Sequence, residues 1–114
     1  MSVLVYIETG KGKVKKASLE ATNYAAKIAD LMGASVTAIA FNAEGSHLEE
    51  VGKAGAKKIL NVKGEQYKNH DPIFLAAALE QAAKAENAKV IVTSFDVTGK
   101  ALAPRLSGKI KAGL

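Results

Sequence analysis

The chain has 114 residues, a formal net charge of +5 and no cysteine. That length suits one domain, residues 1–114, whose core needs no staples, and the lack of cysteine excludes disulfides and thiolate chemistry and removes zinc's commonest ligand. Arg105 is the single arginine and the aromatics are few and scattered, whereas nucleic-acid readers use arginine and exposed aromatics, so a lysine-coated surface is expected and a nucleic-acid partner is not.

Met1-Ser2 leads straight into the apolar run Val3-Leu4-Val5-Tyr6-Ile7, which leaves no room for a signal peptide. No apolar run approaches the roughly 20 residues of a membrane helix. A cytoplasmic protein with no membrane partner is therefore expected. The first strand is predicted over Val3 to Glu8, and its continuous apolar character fits a strand covered on both faces. A helix follows, with Ser18 as its expected N-cap and Gly33 as its C′ residue. Ala21, Ala25, Ile28, Ala29 and Met32 form its apolar stripe.

The second strand is predicted over Ser35 to Phe41. A short helix then starts at the capping box Ser46-His47-Leu48-Glu49 and ends by Gly55. The third strand is expected over Lys58 to Val62. A third helix opens at Asp71-Pro72, an N-cap followed by a first-turn proline, and runs to about Glu86. Its alanines (Ala76, Ala77, Ala78, Ala82, Ala83 and Ala85) permit close approach to a sheet. The fourth strand is expected over Lys89 to Ser94, and a last helix carries Leu102, Leu106 and Ile110 on one face, with Pro104 limiting where it begins. Strands alternating with helical patterns predict an α/β fold, a three-layer open parallel sheet with helices on both faces.

Right-handed crossovers place successive strands on one side of such a sheet until the winding reverses. With the second and third strands outward from the first, the fourth falls on its other side. The ligand crevice then lies at the carboxyl ends of the first and fourth strands. Glu8-Thr9-Gly10-Lys11-Gly12-Lys13 and the stretch Ser94 to Lys100 meet there, and both are rich in glycine, hydroxyl and lysine. Backbone N–H groups and a helix N-terminus in such loops suit a phosphate, but glycine and lysine are equally ordinary turn residues. Thr93, Ser94, Thr98 and Gly99 are the candidate residues of a degenerate phosphate or nucleotide crevice.

Motif tests are negative. A P-loop needs G-x-x-x-x-G-K-[ST], and around Gly99-Lys100 its first and last positions hold Ser94 and Ala101. A dinucleotide G-x-G-x-x-G fails because Lys15 follows Gly10 and Gly12 at the third glycine position. There is no pyrophosphatase-type Ser-Gly-Gly loop, and the glycine spacing of an ATP-binding universal stress protein is missing. His47 and His70 are expected in turns, far apart in sequence, so no metal site is expected. Asp96 has no histidine, cysteine or second carboxylate near it in sequence for acid/base or nucleophilic work. Glu8 can meet a lysine instead. No catalytic residue is assigned and the chain does not read as an enzyme.

Met1-Ser2-Val3-Leu4-Val5-Tyr6-Ile7-Glu8, Gly52-Lys53-Ala54-Gly55-Ala56 and Leu102-Ala103-Pro104-Arg105-Leu106 together resemble the α subunit of electron transfer flavoproteins, in order and over the whole chain. The resemblance implies an N-terminal domain of adenine nucleotide α-hydrolase-like, Rossmann-like fold. It implies a β subunit of the same fold as partner, which binds AMP in many family members. The heterodimer carries electrons from dehydrogenases to a quinone reductase, and so to the respiratory chain, through FAD. In the family FAD is held mainly by a C-terminal domain that this sequence lacks, so no cofactor is expected on these 114 residues. The expected role is docking the β subunit and framing the flavin domain. An apolar surface normally covered by the partner is also compatible with a homo-oligomer. Two alternatives share the fold: a stand-alone nucleotide-binding protein of universal-stress type, and a small hydrolase or transferase using Asp96 and the lysine-bearing loops. The motif failures disfavour both.

Overall fold

A strand with no polar face opens the chain: all five residues of β1 (Ser2–Tyr6) are buried. The computed structural model describes residues 2–10, 13–43, 48–68 and 72–93. Along these, β1 is followed by β2 (Thr9–Gly10), β3 (Lys13–Val14), α1 (Lys16–Met32), β4 (Ser35–Phe41), α2 (Glu49–Lys53), β5 (Lys58–Val62), a 3₁₀ turn over Glu65–Tyr67, α3 (Pro72–Ala85) and β6 (Ala88–Val92). The main sheet has the order β5-β4-β1-β6 and is parallel throughout. This is the predicted winding, with its reversal at β1.

Alternation along the strands divides the core into two layers. Val3, Val5 and Ile7 of the β1 segment pack with Val36, Ala38 and Ala40 against Ala21, Ala25 and Ala29 of α1 and Val51 of α2. On the other face, Leu4 and Tyr6 join Ile39, Phe41 and Ile91 against Leu75, Ala76, Leu79 and Ala83 of α3. Outward winding puts α1 and α2 on one face and the returning crossover puts α3 on the other, as right-handed connections require. Among the described residues, no helix is long and apolar enough to cross a membrane.

β4 and β5 keep their predicted limits. β1 stops at Tyr6 rather than Glu8: the Ile7 N–H still donates to the Ile39 carbonyl at 2.8 Å, but that of Glu8 donates to the Ser18 hydroxyl at 2.8 Å. β6 is likewise shifted, to Ala88–Val92. Ser18 is therefore not an N-cap. α1 starts earlier, after the extended Lys15 (φ −66°, ψ 144°), with no side-chain cap, while Gly33 ends it in the left-handed conformation as expected. The stripe of α1 includes Ser18 and Thr22, both fully buried, because the Thr22 hydroxyl donates to the Ser18 carbonyl at 2.8 Å. Along α3, Ala76 and Ala83 are buried, but Ala77 and Ala85 are exposed, and Leu75 and Leu79 fill the core instead. α2 begins at Glu49 after Leu48, with no side-chain cap. Ser46, His47, Asp71 and the helix of Leu102, Pro104, Leu106 and Ile110 lie outside the described residues.

The amino edge of the sheet is closed by Glu86. Its carboxylate accepts from Lys58 Nζ at 2.8 Å and from the Thr37 hydroxyl at 3.4 Å, and its carbonyl accepts from the Ser2 hydroxyl at 2.7 Å. One residue thus ties the end of α3 to β1, β4 and β5.

Two glycines with positive φ separate backbone freedom from packing. Around Gly33 (φ 67°) an added Cβ meets nothing within 4 Å, whereas at Gly55 (φ 128°) it would stand 2.8 Å from the Ala26 Cβ on α1. Gly33→Ala is expected to cost about 1 kcal/mol, the left-handed penalty alone. Gly55→Ala adds forced repacking between the turn after α2 and α1 and is expected to cost about 2–4 kcal/mol. Chemical denaturation of the two variants checks the ordering.

Candidate functional site

The carboxyl edge of the parallel sheet is where an open α/β fold takes its ligand, and the strand order puts the reversal between β1 and β6. Val5 pairs with Val92 across that boundary, so half-buried Thr93 follows directly at the edge. Of the four candidate crevice residues, the structure places Thr93 there, while Ser94, Thr98 and Gly99 lie outside the described residues, as do Asp96, His47 and His70.

The β1 side of the crevice departs from an open phosphate loop. β2 and β3 pair antiparallel, with Thr9 opposite Val14 and Gly10 opposite Lys13. The chain therefore folds back and brings Val14, which is buried, and Lys15 to the start of α1. Glu8 is held inside this connection with 4% of its surface exposed. Its N–H donates to Ser18 Oγ at 2.8 Å, and its carbonyl accepts from the Lys15 N–H at 3.0 Å. Its carboxylate lies 3.5 Å from Lys15 Nζ. Burying a carboxylate is costly unless a cation and hydrogen bonds accompany it, and Lys15 supplies the cation. The expected meeting of Glu8 with a lysine is realised by Lys15.

The β4–β5 side is fixed by two asparagines that the sequence analysis did not single out. Asn42, in the left-handed region at φ 52°, donates from Nδ2 to the Gly64 carbonyl at 2.9 Å and accepts the Gly64 N–H at 3.0 Å. Asn61 donates to the Ala43 carbonyl at 2.7 Å and accepts the Ala43 N–H at 3.1 Å. Each side-chain amide substitutes for a peptide group and extends the ladder past the strand ends. A sequence signal existed, since asparagine is the residue that both tolerates positive φ and carries a donor and an acceptor.

Beside these clamps, Thr9, Phe41, Asn42, Tyr67 and Lys68 line a depression of about 160 Å³. Phe41 packs at tilted angles against two aromatic rings, with ring centroids 5.9 Å from Tyr6 and 4.9 Å from Tyr67. Small-molecule pockets commonly hold roughly 300–1,000 Å³, and this depression, set between the end of β4 and the 3₁₀ turn rather than between β1 and β6, falls below that range. Among the described residues, no three His, Asp or Glu side chains gather into a metal-binding group.

Among known protein families, the electron transfer flavoprotein domain matches the chain over residues 3–114. The chain is similar to Protein FixB of Clostridium saccharobutylicum, 20% identical over 112 residues, covering 98% of this chain and 34% of that protein. It thus spans about a third of the length of the curated relative it matches. Among solved structures, a universal stress protein from Archaeoglobus fulgidus superposes with a TM-score of 0.58 at 15% identity, covering 92% of each chain. A universal stress protein in complex with cAMP superposes with a TM-score of 0.59 at 19% identity, covering 97% of this chain and 91% of that one. At such identities the likeness shows the fold alone, the Rossmann-like fold of the adenine nucleotide α-hydrolases.

Ser18 is the hinge of this arrangement. Ser18→Ala leaves the buried Glu8 N–H without its acceptor and is expected to cost about 1–3 kcal/mol, despite alanine's better helix propensity. Urea denaturation measures the loss, and faster hydrogen exchange at the Glu8 amide locates it.

Proposed function

The chain belongs to the electron transfer flavoprotein domain family, and on that premise we propose that it is the N-terminal domain of an α subunit whose work is docking and framing rather than chemistry. The family match over residues 3–114 carries this proposal. In the complete complex, FAD passes electrons from dehydrogenases towards a quinone reductase, and a β subunit of the same fold is the partner. FAD is held outside these 114 residues, and the complex acts as a carrier, not a catalyst. The residues Thr93, Ser94, Thr98 and Gly99 are the remnant of a phosphate crevice that this domain leaves without a nucleotide. The protein works in the cytoplasm.

Two features of the surface support a docking role. Tyr24 and Leu31 of α1 are 60% and 90% exposed, and Ile73 and Phe74 of α3 are 56% and 48% exposed. Leu31 follows Tyr24 by seven residues, which places both on one stripe of α1. Large apolar side chains in water on both outer layers are suited to a partner's surface. A flavin, in contrast, needs groups that fix its ring and tune its electronics, and the domain that would hold it is proposed to lie outside these residues.

Mixing the purified chain with an electron transfer flavoprotein β subunit is expected to give a co-eluting heterodimer in size-exclusion chromatography, with no stoichiometric flavin absorption from the chain alone. Separate elution at high micromolar concentration, or a yellow chain carrying one flavin, would sink the proposal. Calorimetric titration with AMP is expected to show no heat at millimolar ligand. Saturable heat would instead favour a nucleotide-binding protein of universal-stress type.

A further inference from the structure

We propose that the Glu8 carboxylate is the built-in anion of the crevice, held where it engages Lys15 and excludes phosphate from the start of α1. The inference deepens the nucleotide-free part of the proposed function and rests on it. The amino end of α1 has the makings of a phosphate site: no acidic residue in its first turn, no side-chain cap, and Lys15 directly before it. First-turn N–H groups and the positive end of the helix dipole attract anions; in α1 the Ser18 and Leu19 N–H groups donate to the Lys15 carbonyl at 3.0 and 3.3 Å, so the dipole is the larger attraction. Here a carboxylate from the same chain comes first. Glu8 is 4% exposed, and its Oε2 lies 3.5 Å from Lys15 Nζ.

Its backbone cannot easily yield the place. The Glu8 N–H is bound to the buried Ser18 hydroxyl in the first turn of α1, and its carbonyl to the Lys15 N–H. The main chain of Glu8 is therefore held at both ends, between the β1 segment and the helix, and its carboxylate is located by Lys15 Nζ. A phosphate approaching the first turn would meet a like charge in a poorly solvated setting, and the nearest lysine would already be engaged. Desolvation strengthens that repulsion relative to water. The exclusion thus comes from one buried side chain and not from any missing glycine.

The test uses the full chain and its Glu8→Gln variant, which keeps the shape and removes the charge. AMP and inorganic pyrophosphate are titrated separately while amide NMR signals of Lys16 to Leu19 are followed. The wild type is expected to show no saturable shift at millimolar ligand. E8Q is expected to bind at least about tenfold more tightly, with shifts centred on those amides, and adding Lys15→Gln is expected to abolish the gain. A folded E8Q that binds no better, or that shifts only elsewhere, overturns the role of Glu8 and leaves the nucleotide-free proposal standing. Wild-type binding as tight as that of E8Q overturns both. Should E8Q fail to fold, Glu8→Ser removes the same charge with a smaller side chain and is judged by the same shifts.

Discussion

The fold depends on β1 being buried on both faces and paired on both edges. Val3, Leu4 and Val5 are fully shielded from water, and the strand bonds to β4 on one side and β6 on the other. A strand in that position is apolar along its length, as Val3 to Ile7 are, and its one small polar residue, Ser2, is satisfied by the Glu86 carbonyl. It also forces the winding to reverse. Two crossovers lead away from β1 over one face, and the third returns over the other face to reach β6. The carboxyl end of β1 thereby becomes the switch point of the sheet, and whatever side chain follows it governs the ligand position.

The elements most legible in the sequence were the strands set off by sharp stops: Ser35 to Phe41 follows the helix-ending Gly33, and Lys58 to Val62 follows the Gly55 turn. Gly33 stopped α1 because only the left-handed conformation fits there. The connection from β1 to α1 stayed open between two readings for a physical reason. Gly10, Lys11, Gly12 and Lys13 suit an anion loop and a chain reversal equally, and the choice is made by Val14, which gains burial only if the segment folds back. Ser18 has the composition of a cap, yet its hydroxyl serves a main-chain N–H ten residues upstream. That use is tertiary and has no local signature. The same holds for Asn42 and Asn61, whose partners lie 22 and 18 residues away, and for Glu86, which gathers Ser2, Thr37 and Lys58. The strand order was legible from topology and puts Thr93 just past β6 at the carboxyl edge, but the buried Glu8 carboxylate was visible only as a residue able to meet a lysine.

Fold and function separate cleanly in this molecule. The parallel sheet with helices on both faces is shared with universal stress proteins of little sequence likeness, so architecture alone says nothing of the role. What distinguishes the chain is local, among the described residues: a β2–β3 pairing between β1 and α1, asparagine clamps that tie the β4–β5 edge, and a shallow depression lined by Phe41 and Tyr67. Each converts ligand-facing backbone into self-satisfied structure.

Charge completes the argument. The net charge of +5 is almost all lysine, and Lys13, Lys15 and Lys16 converge at the amino end of α1, where the helix dipole is already positive and no acidic first-turn residue offsets it. Without a counter-charge that end of the helix would repel its own lysines, and an external anion would be the natural remedy. Glu8 supplies the remedy from within. Its burial is tolerated because the field around it is positive, and the field is tolerable because Glu8 is there. The two conditions support each other, so the same cluster that would recruit phosphate in an open loop becomes here a reason for the loop to stay shut.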